Sequence, residues 1–179
     1  TLDEFRYQAR GYAKYADIAR LFGWQALKNF FYQENLDFNA GTPTCFESPI
    51  CRNGLTQVDS RILRLSRAAD ADLTPLIHFW GVHPDNSTAL AQAITAAGLD
   101  NSTIVRDKLV YYAGIAPTNN AQFNTHFETV FPGRPEGGHP DYGVGWYNVW
   151  TDKFNESHGT QIKTSMQSLL TKYFPGTNL

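Results

Sequence analysis

Histidine and cysteine are the residues of this sequence that most readily bind a metal ion or act as a nucleophile. The chain has five histidines: His78, His83, His126, His139 and His158. A zinc-peptidase helix needs two histidines four residues apart with a glutamate between them, so that both imidazoles face one metal ion. No histidine pair has that spacing, since even His78 and His83 are five residues apart and lie on either side of Gly81. We therefore expect neither a catalytic residue nor a bound metal ion in this chain.

Cys45 and Cys51 lie close together in a segment rich in proline and glycine. A structural zinc site needs about four ligands, and no histidine is near these two cysteines. Two alternatives remain, a disulfide that closes this loop or two free thiols. A disulfide would place the protein in an oxidising compartment, outside the cell or at its surface.

A cluster of aromatic residues near the end of the chain is the candidate contact site. Trp146 and Trp150 are four residues apart, so they share one face of a predicted helix. Tyr142 and His139 precede them in a loop with many glycines and prolines. Either this helix face belongs to the core, or it forms a contact surface for a glycan or a partner protein, because flat aromatic rings suit both.

The elements that position these residues are predicted to be helices almost throughout. Capping residues, apolar stripes at three- and four-residue steps and terminal glycines recur along the chain. We predict an all-α fold, an irregular multi-helix bundle of about seven to nine helices. Two of these helices begin at Thr56 and directly after Thr74, the second ending at Gly81, and the others span residues 3–22, 24–35, 88–97, 103–113, 120–131, 144–154 and 160–174.

Two tryptophans are predicted to anchor this core. Trp24 and Trp80 each lie beside a glycine that ends a helix, so both are expected to be buried. In the helix that begins at Thr56, the residues Arg61, Arg64 and Arg67 are expected on the solvated face, opposite the apolar stripe.

Composition excludes several classes of protein. The formal net charge is −2 and the calculated pI is about 6.2, which provides no basic surface for nucleic acid or for anionic lipid. No apolar run approaches the roughly 20 residues that a membrane-spanning helix needs. We therefore expect no nucleic-acid partner and no membrane span.

Two segments, ADIARLFGWQALKNFFYQ and RILRLSRAADADLTPLIHFWGVHP, are more specific than the rest. They resemble the C-terminal helical region of the enhancin-like, mucin-degrading zinc metallopeptidases, a group similar to the bacterial immunomodulating metalloproteases. The likeness covers roughly residues 10–84. The matching residues are Phe22, Gly23, Trp24, Ala26, Leu27, Ser66, Asp72, Leu73, Thr74, Pro75, Phe79, Trp80 and Gly81.

This resemblance implies a non-catalytic helical lobe of a secreted or cell-surface peptidase that acts on glycoproteins. The zinc signature of the family lies N-terminal to the matched region, so zinc is expected only in a catalytic domain of the same parent protein, which would be the main partner. Residues 1–179 would then form a single helical lobe of a larger chain. Residues 1–84 would be its family-like part, and residues 85–179 would add further helices.

Two other functions remain open. The chain could be a helical module that binds a glycan or a protein and has no connection with peptidases. It could also be an independent enzyme whose active-site residues are scattered along the sequence. A His-Glu-x-x-His helix in the sequence upstream would favour the metallopeptidase, and a metal analysis with a peptidase assay would test the independent enzyme.

Overall fold

The computed structural model describes residues 2–39, 51, 53–130 and 154–177. This part of the chain contains eight α-helices and no strand, which confirms the predicted all-α, multi-helix fold. Within it, no helix combines the length and the apolarity that crossing a membrane requires. The helices are α1 (Leu2–Phe22), α2 (Trp24–Asn39), α3 (Gln57–Ala69), α4 (Thr74–Phe79), α5 (Ser87–Ala96), α6 (Thr103–Ile115), α7 (Asn120–Val130) and α8 (Glu156–Tyr173).

Most predicted helices are present, with shifted ends. The largest shifts, of four residues each, are at the start of α8 and in α2, which continues to Asn39 rather than ending at residue 35. No glycine or proline interrupts the sequence there before Gly41, so nothing stops the helix earlier. Helix α8 begins before its predicted start, because Asn155 caps it by accepting a hydrogen bond from the His158 amide. The helix predicted over residues 144–154 lies outside the described residues, except for Phe154, which is not helical.

The chain divides into two compact units, Thr1–Lys108 and Leu109–Leu179. In the first unit, α1 packs on α2, α2 on α3, and α3 on both α4 and α5. Apolar side chains from these helices and from the start of α6 form its core. They include Ile18, Leu27, Phe30, Ile62, Leu65, Leu73, Leu76, Ile77, Leu90, Ile94 and Val105.

A buried carboxylate joins α3 to the start of α5. Asp59 is fully buried, and its two oxygens accept hydrogen bonds from the backbone amides of Asp85 at 3.0 Å and Asn86 at 2.8 Å. Its own amide donates to the Thr56 hydroxyl, the N-cap that starts α3. The carboxylate thus fixes a chain segment 26 residues away rather than closing a local capping box. We name this contact the Asp59 clamp.

Side-chain oxygens also organise the turn between α3 and α4. The buried Ser66 hydroxyl accepts a hydrogen bond from the Leu73 amide at 3.0 Å, and Asp72 accepts one from the Thr74 amide at 2.8 Å. Thr74 was expected to be the N-cap of α4, but it is the first residue of that helix, with Pro75 next to it. The expectation was wrong because the helix begins one residue earlier: Leu73 is in the N-cap position, and its carbonyl oxygen accepts the first helical hydrogen bond, from the Ile77 amide at 3.0 Å.

Asp17 of α1 forms a polar contact with the residue that follows α4. The Trp80 indole Nε1–H donates to the Asp17 carboxylate at 2.9 Å, and Asp17 is only 2% exposed. A charged hydrogen bond of this kind stabilises a buried carboxylate that would otherwise be costly to desolvate. Trp80 itself is partly buried, which falls short of the full burial predicted for it, and its indole contact with Asp17 is what holds it in place.

The second unit packs around a glycine in the first turns of α8. A Cβ atom added at Gly159 would lie 2.6 Å from the Pro117 carbonyl oxygen, so this helix and that backbone touch directly. The rings of Phe123 and Phe154 stack with their centroids 4.8 Å apart. The Asn120 amide donates to the Glu156 carboxylate at 3.0 Å. These contacts join the starts of α7 and α8.

Cys51 is disulfide-bonded in the structure. The only other cysteine in the sequence, Cys45, lies outside the described residues. Cys51 is buried, and its amide donates to the Leu55 carbonyl oxygen at 2.7 Å just before α3. Burial and this backbone hydrogen bond thus hold Cys51 in the segment that leads into α3.

Candidate functional site

The predicted contact residues Tyr142, Trp146, Trp150 and His139 all lie outside the described residues. Whether their helix face belongs to the core or to a contact surface therefore stays a prediction. The described part of the chain presents a different candidate, on the first two helices.

Helices α1 and α2 carry an unusual number of exposed aromatic side chains. Five of them are between 51% and 72% exposed: Tyr12, Trp24, Phe31, Tyr32 and Phe38. Monomeric proteins rarely leave large apolar patches uncovered, and such patches mark contact sites when they occur. We call these five residues the aromatic surface.

The spacing of three members places them along one line of α2. Trp24, Phe31 and Phe38 are seven residues apart, so each is offset from the last by only about 20° around the helix. The core of the same helix is formed by Ala26, Leu27 and Phe30, which are buried. The aromatic line therefore runs beside the buried stripe rather than within it.

The first helix continues this surface across the hairpin. The Tyr15 and Phe31 ring centroids are 6.1 Å apart, and both residues are eight positions from Gly23, where the chain turns. Gly23 has a φ of +82°, a left-handed conformation that favours glycine. Tyr12 lies about one turn further along α1, beyond Tyr15, on the same side as the α2 aromatic line.

The structure contradicts the prediction that Trp24 is buried, since this side chain is 70% exposed. The three- and four-residue steps from Trp24 to Leu27 and Phe31 place all three on one side of the helix. The neighbouring helices cover a narrower stripe, which includes Leu27 but leaves out both aromatic residues. Trp24 is therefore a candidate contact residue rather than a core anchor.

Lys14 is a charged residue of α1 beside Tyr15 in this hairpin. Its amine donates to the Gly11 carbonyl oxygen at 2.8 Å and lies 4.7 Å from the centroid of the Tyr15 ring. Burial lowers the pKa of the Lys14 amine, and the nearby Arg61 guanidinium lowers that pKa further. A cation that is partly desolvated beside another cation is a costly arrangement, and a negatively charged partner would relieve it.

The histidines form no metal centre among the residues that the structure describes. His78 and His83 are neighbours, with ring centroids 4.5 Å apart in an edge-to-face contact. No third histidine, cysteine, aspartate or glutamate in the described ranges completes a group of potential metal ligands with them.

Sequence reasoning missed the aromatic surface although its signal was present. The seven-residue repeat of Trp24, Phe31 and Phe38 can be read directly from the sequence. It was overlooked because α2 was expected to end at residue 35, which left Phe38 in a loop. The exposure of these rings, by contrast, depends on which neighbouring helices cover them and has no local signal.

Neither a family model, a curated protein nor a solved structure matches this chain.

Proposed function

We propose that this chain is a non-catalytic helical lobe of a secreted zinc metallopeptidase that acts on glycoproteins. In this proposal the aromatic surface of α1 and α2 packs against the catalytic domain of the same parent protein. The zinc ion and its ligands belong to that domain, and the lobe shapes one wall of the substrate cleft.

The exposed aromatic surface is the observation that carries the proposal. Five large aromatic side chains exposed to water on two consecutive helices are unfavourable unless another surface covers them. Tryptophan and tyrosine are also enriched among the residues that dominate binding energy at interfaces. A covering domain thus explains why Trp24 and Phe38 stay outside the core of this unit.

The location of this surface supports the same proposal. Trp24 and its neighbours Phe22 and Gly23 belong to the segment that resembles the enhancin-like peptidases. The second resembling segment contains Trp80, which is hydrogen-bonded to Asp17 of the first segment. The two segments therefore meet in one structural unit, beside the aromatic surface.

Two further features agree with secretion. Cys51 is disulfide-bonded, and disulfides persist mainly in oxidising compartments. Three asparagines stand in Asn-x-Ser/Thr sequences, which can carry N-linked glycans, and all three are exposed: Asn86, Asn101 and Asn155. Glycans attached to them would meet no core side chain.

The test compares the isolated chain with the full-length gene product. Hydrogen exchange followed by mass spectrometry should show slower exchange of α1 and α2 in the full-length protein than in the isolated chain. The full-length protein should cleave a mucin-type glycoprotein in a reaction that a metal chelator stops. Trp24→Ser combined with Phe38→Ser should weaken that cleavage and restore fast exchange.

The matched control is Tyr111→Ser in α6, which removes an aromatic residue that is 55% exposed and lies outside the aromatic surface. This control should leave both measurements unchanged. A full-length product without zinc-dependent cleavage would contradict the proposal. If the isolated chain alone retained a glycoprotein and lost it in the double variant, the chain would be a binding module instead.

A further inference from the structure

The asparagine that precedes α5 stands in the sequence Asn-Ser-Thr, residues 86–88, which is an acceptor sequence for N-linked glycosylation. Such tripeptides also arise by chance, so the fold decides whether Asn86 can carry a sugar. An N-linked glycan is attached to the side-chain nitrogen, Nδ2. A glycosylated asparagine therefore fits the folded protein only where that nitrogen faces the solvent and the fold makes no use of it.

Three of the four hydrogen-bonding groups of Asn86 have partners within the first unit. Its backbone amide donates to Asp59 at 2.8 Å in the Asp59 clamp, and its backbone carbonyl oxygen accepts from the Leu90 amide at 3.0 Å. Its side-chain oxygen, Oδ1, caps α5 by accepting from the Ala89 amide at 3.0 Å. Because a backbone amide only donates, this contact identifies the capping atom as the oxygen and leaves Nδ2 on the other side of the side-chain amide.

Nδ2 is the group that remains. Among the described residues it has no hydrogen-bond partner, and Asn86 is exposed together with the two residues that follow it. Asn53 shows the opposite arrangement, since its Nδ2 donates to the Ser60 hydroxyl at 3.2 Å and so takes part in the fold. A glycan at Asn86 would thus replace a proton that no described residue contacts, and the amide link would keep Oδ1 as the cap.

The surface beside Asn86 has room for the first sugars. The outer face of α5 borders a shallow depression of about 650 Å³. None of its described lining residues is aromatic or charged, so the attached sugars would meet only small or uncharged polar side chains. These lining residues are Ser87, Thr88, Ala91, Gln92, Thr95 and Ala96.

We infer that Asn86 is an N-glycosylation site and that the glycosylated asparagine still caps α5. This modification depends on the secretion that the proposed function includes, since the transferase acts in a eukaryotic secretory pathway. In the reaction, Nδ2 forms a bond to the anomeric carbon of an oligosaccharide carried by a lipid pyrophosphate. The bond between that carbon and the pyrophosphate breaks, the lipid pyrophosphate leaves with the electron pair, and Nδ2 loses one of its two protons.

The experiment directs the whole chain into the secretory pathway of cultured mammalian cells with a cleavable leader peptide. Its outcome therefore does not depend on where the natural product is located. The chain is recovered from the cells and their medium, and its peptides are mapped by mass spectrometry with and without peptide-N-glycosidase, which converts a glycosylated asparagine into aspartate. We expect most of the recovered chain to carry a glycan at Asn86.

Two variants of Thr88 test the site without changing the cap. Thr88→Ala removes the acceptor sequence and should abolish the glycan at Asn86, whereas Thr88→Ser retains the hydroxyl of that sequence and should keep the glycan. Thr88 is exposed, so both variants should fold normally. Thr103→Ala is the matched control, since it removes the identical Asn-Ser-Thr sequence at residues 101–103 and should leave Asn86 glycosylated.

Thermal unfolding tests whether the cap is retained. In a chain with Thr103→Ala and Ser157→Ala, Asn86 is the remaining acceptor asparagine. This chain, made with its glycan, should unfold at no lower temperature than the same chain made in a bacterial periplasm that lacks the transferase. Asn86→Gln in that background loses both the acceptor and a good N-cap residue, and it should unfold at a lower temperature.

An unmodified Asn86 in the chain recovered from the mammalian cells would overturn the inference, as would a glycan at Asn86 that survived Thr88→Ala. A lower unfolding temperature for the glycosylated chain would show that the glycan and the cap compete, and would overturn the second part. None of these measurements involves cleavage of a glycoprotein. Absence of the glycan therefore leaves the metallopeptidase proposal standing, and absence of zinc-dependent cleavage leaves the glycan at Asn86 standing.

Discussion

Within the first unit, the α3–α5 region and the α1–α2 hairpin differ in how far their side chains are buried and hydrogen-bonded. Around α3, the buried polar groups of Asp59 and Ser66 are hydrogen-bonded to backbone amides of the same unit. In α1 and α2, five aromatic side chains remain more than half exposed. The buried polar groups of the α3–α5 region are thus hydrogen-bonded within the unit. The α1–α2 hairpin instead presents apolar surface to the solvent.

This difference separates residues that specify the fold from residues available for binding. Loss of a buried polar contact leaves unpaired groups inside the protein and is costly. Loss of an exposed aromatic ring removes little folding energy, because that ring has not left water. Stability measurements on matched variants can therefore assign each side chain to one region or the other.

The largest effect is expected at the Asp59 clamp. Asp59→Ala leaves the amides of Asp85 and Asn86 without their acceptor, and it should lower the free energy of unfolding by about 3 kcal/mol. Urea denaturation followed by circular dichroism measures this change. Asp59→Asn is the control, since it keeps one acceptor oxygen and should lose less. A loss below about 1 kcal/mol for Asp59→Ala would show that the Asp59 clamp is not one of the contacts that specify the fold.

A smaller loss is expected at Trp80. Trp80→Phe keeps an aromatic ring but removes the indole N–H that donates to the buried Asp17 carboxylate. The free energy of unfolding should fall by about 2 kcal/mol. Thermal unfolding measures the change, with Trp24→Phe as the matched exchange at an exposed position. Equal effects of the two exchanges would contradict the distinction between the two regions.

Trp24→Ala should change the free energy of unfolding by no more than about 0.5 kcal/mol, because the side chain is largely in water. The expectation from sequence, a buried anchor, would have required roughly 3–5 kcal/mol. Leu27→Ala is the contrast on the same helix, since Leu27 is buried and its truncation should cost about 2–5 kcal/mol. If a denaturant titration gave both variants the same large loss in the free energy of unfolding, Trp24 would have to be a core residue.

The smallest effect concerns Lys14 and the pH dependence of stability. Its pKa is lower in the folded protein than the ordinary value of 10.5, chiefly through burial and then through Arg61. Between those two pKa values the unfolded chain holds the proton and the folded protein does not, so stability rises with pH in that interval. Lys14→Met should therefore lose this rise and gain a little stability at neutral pH. Denaturation of the parent chain and of Lys14→Met at neutral and alkaline pH measures the difference. If the free energy of unfolding depended on pH equally in the two proteins, Lys14 would not be the cause of the rise.

The sequence predicts the helices well because their signals are local. Thr56 and Asn155 cap α3 and α8, and Gly23 separates α1 from α2. Asp59 is a residue whose contacts such local signals do not predict. It lies three residues after the Thr56 cap, where the acidic residue of a capping box would stand, whereas its carboxylate contacts residues 85 and 86. That contact depends on how two helices pack, which local spacing does not encode.

The functional residues were harder to predict for a related reason. An amphipathic pattern shows that a helix has an apolar side, but not how much of that side a neighbour covers. In α2 the covered stripe stops short of Trp24 and Phe31. The predicted group around Trp146 lies outside the described residues, so the test of that prediction remains mutational, with Tyr142→Ala and Trp146→Ala measured for stability and for glycoprotein binding.

The Asp59 clamp also determines which positions can accept mutations. It holds the main-chain amides of residues 85 and 86, not their side chains. At position 85 the clamp therefore places no demand on the side chain, and proline is the substitution that it forbids, because proline has no amide hydrogen. Position 59 is the opposite case, since only a short carboxylate reaches both amides. In a saturation-mutagenesis library selected for folding, we therefore expect position 85 to accept many residues and position 59 to retain aspartate.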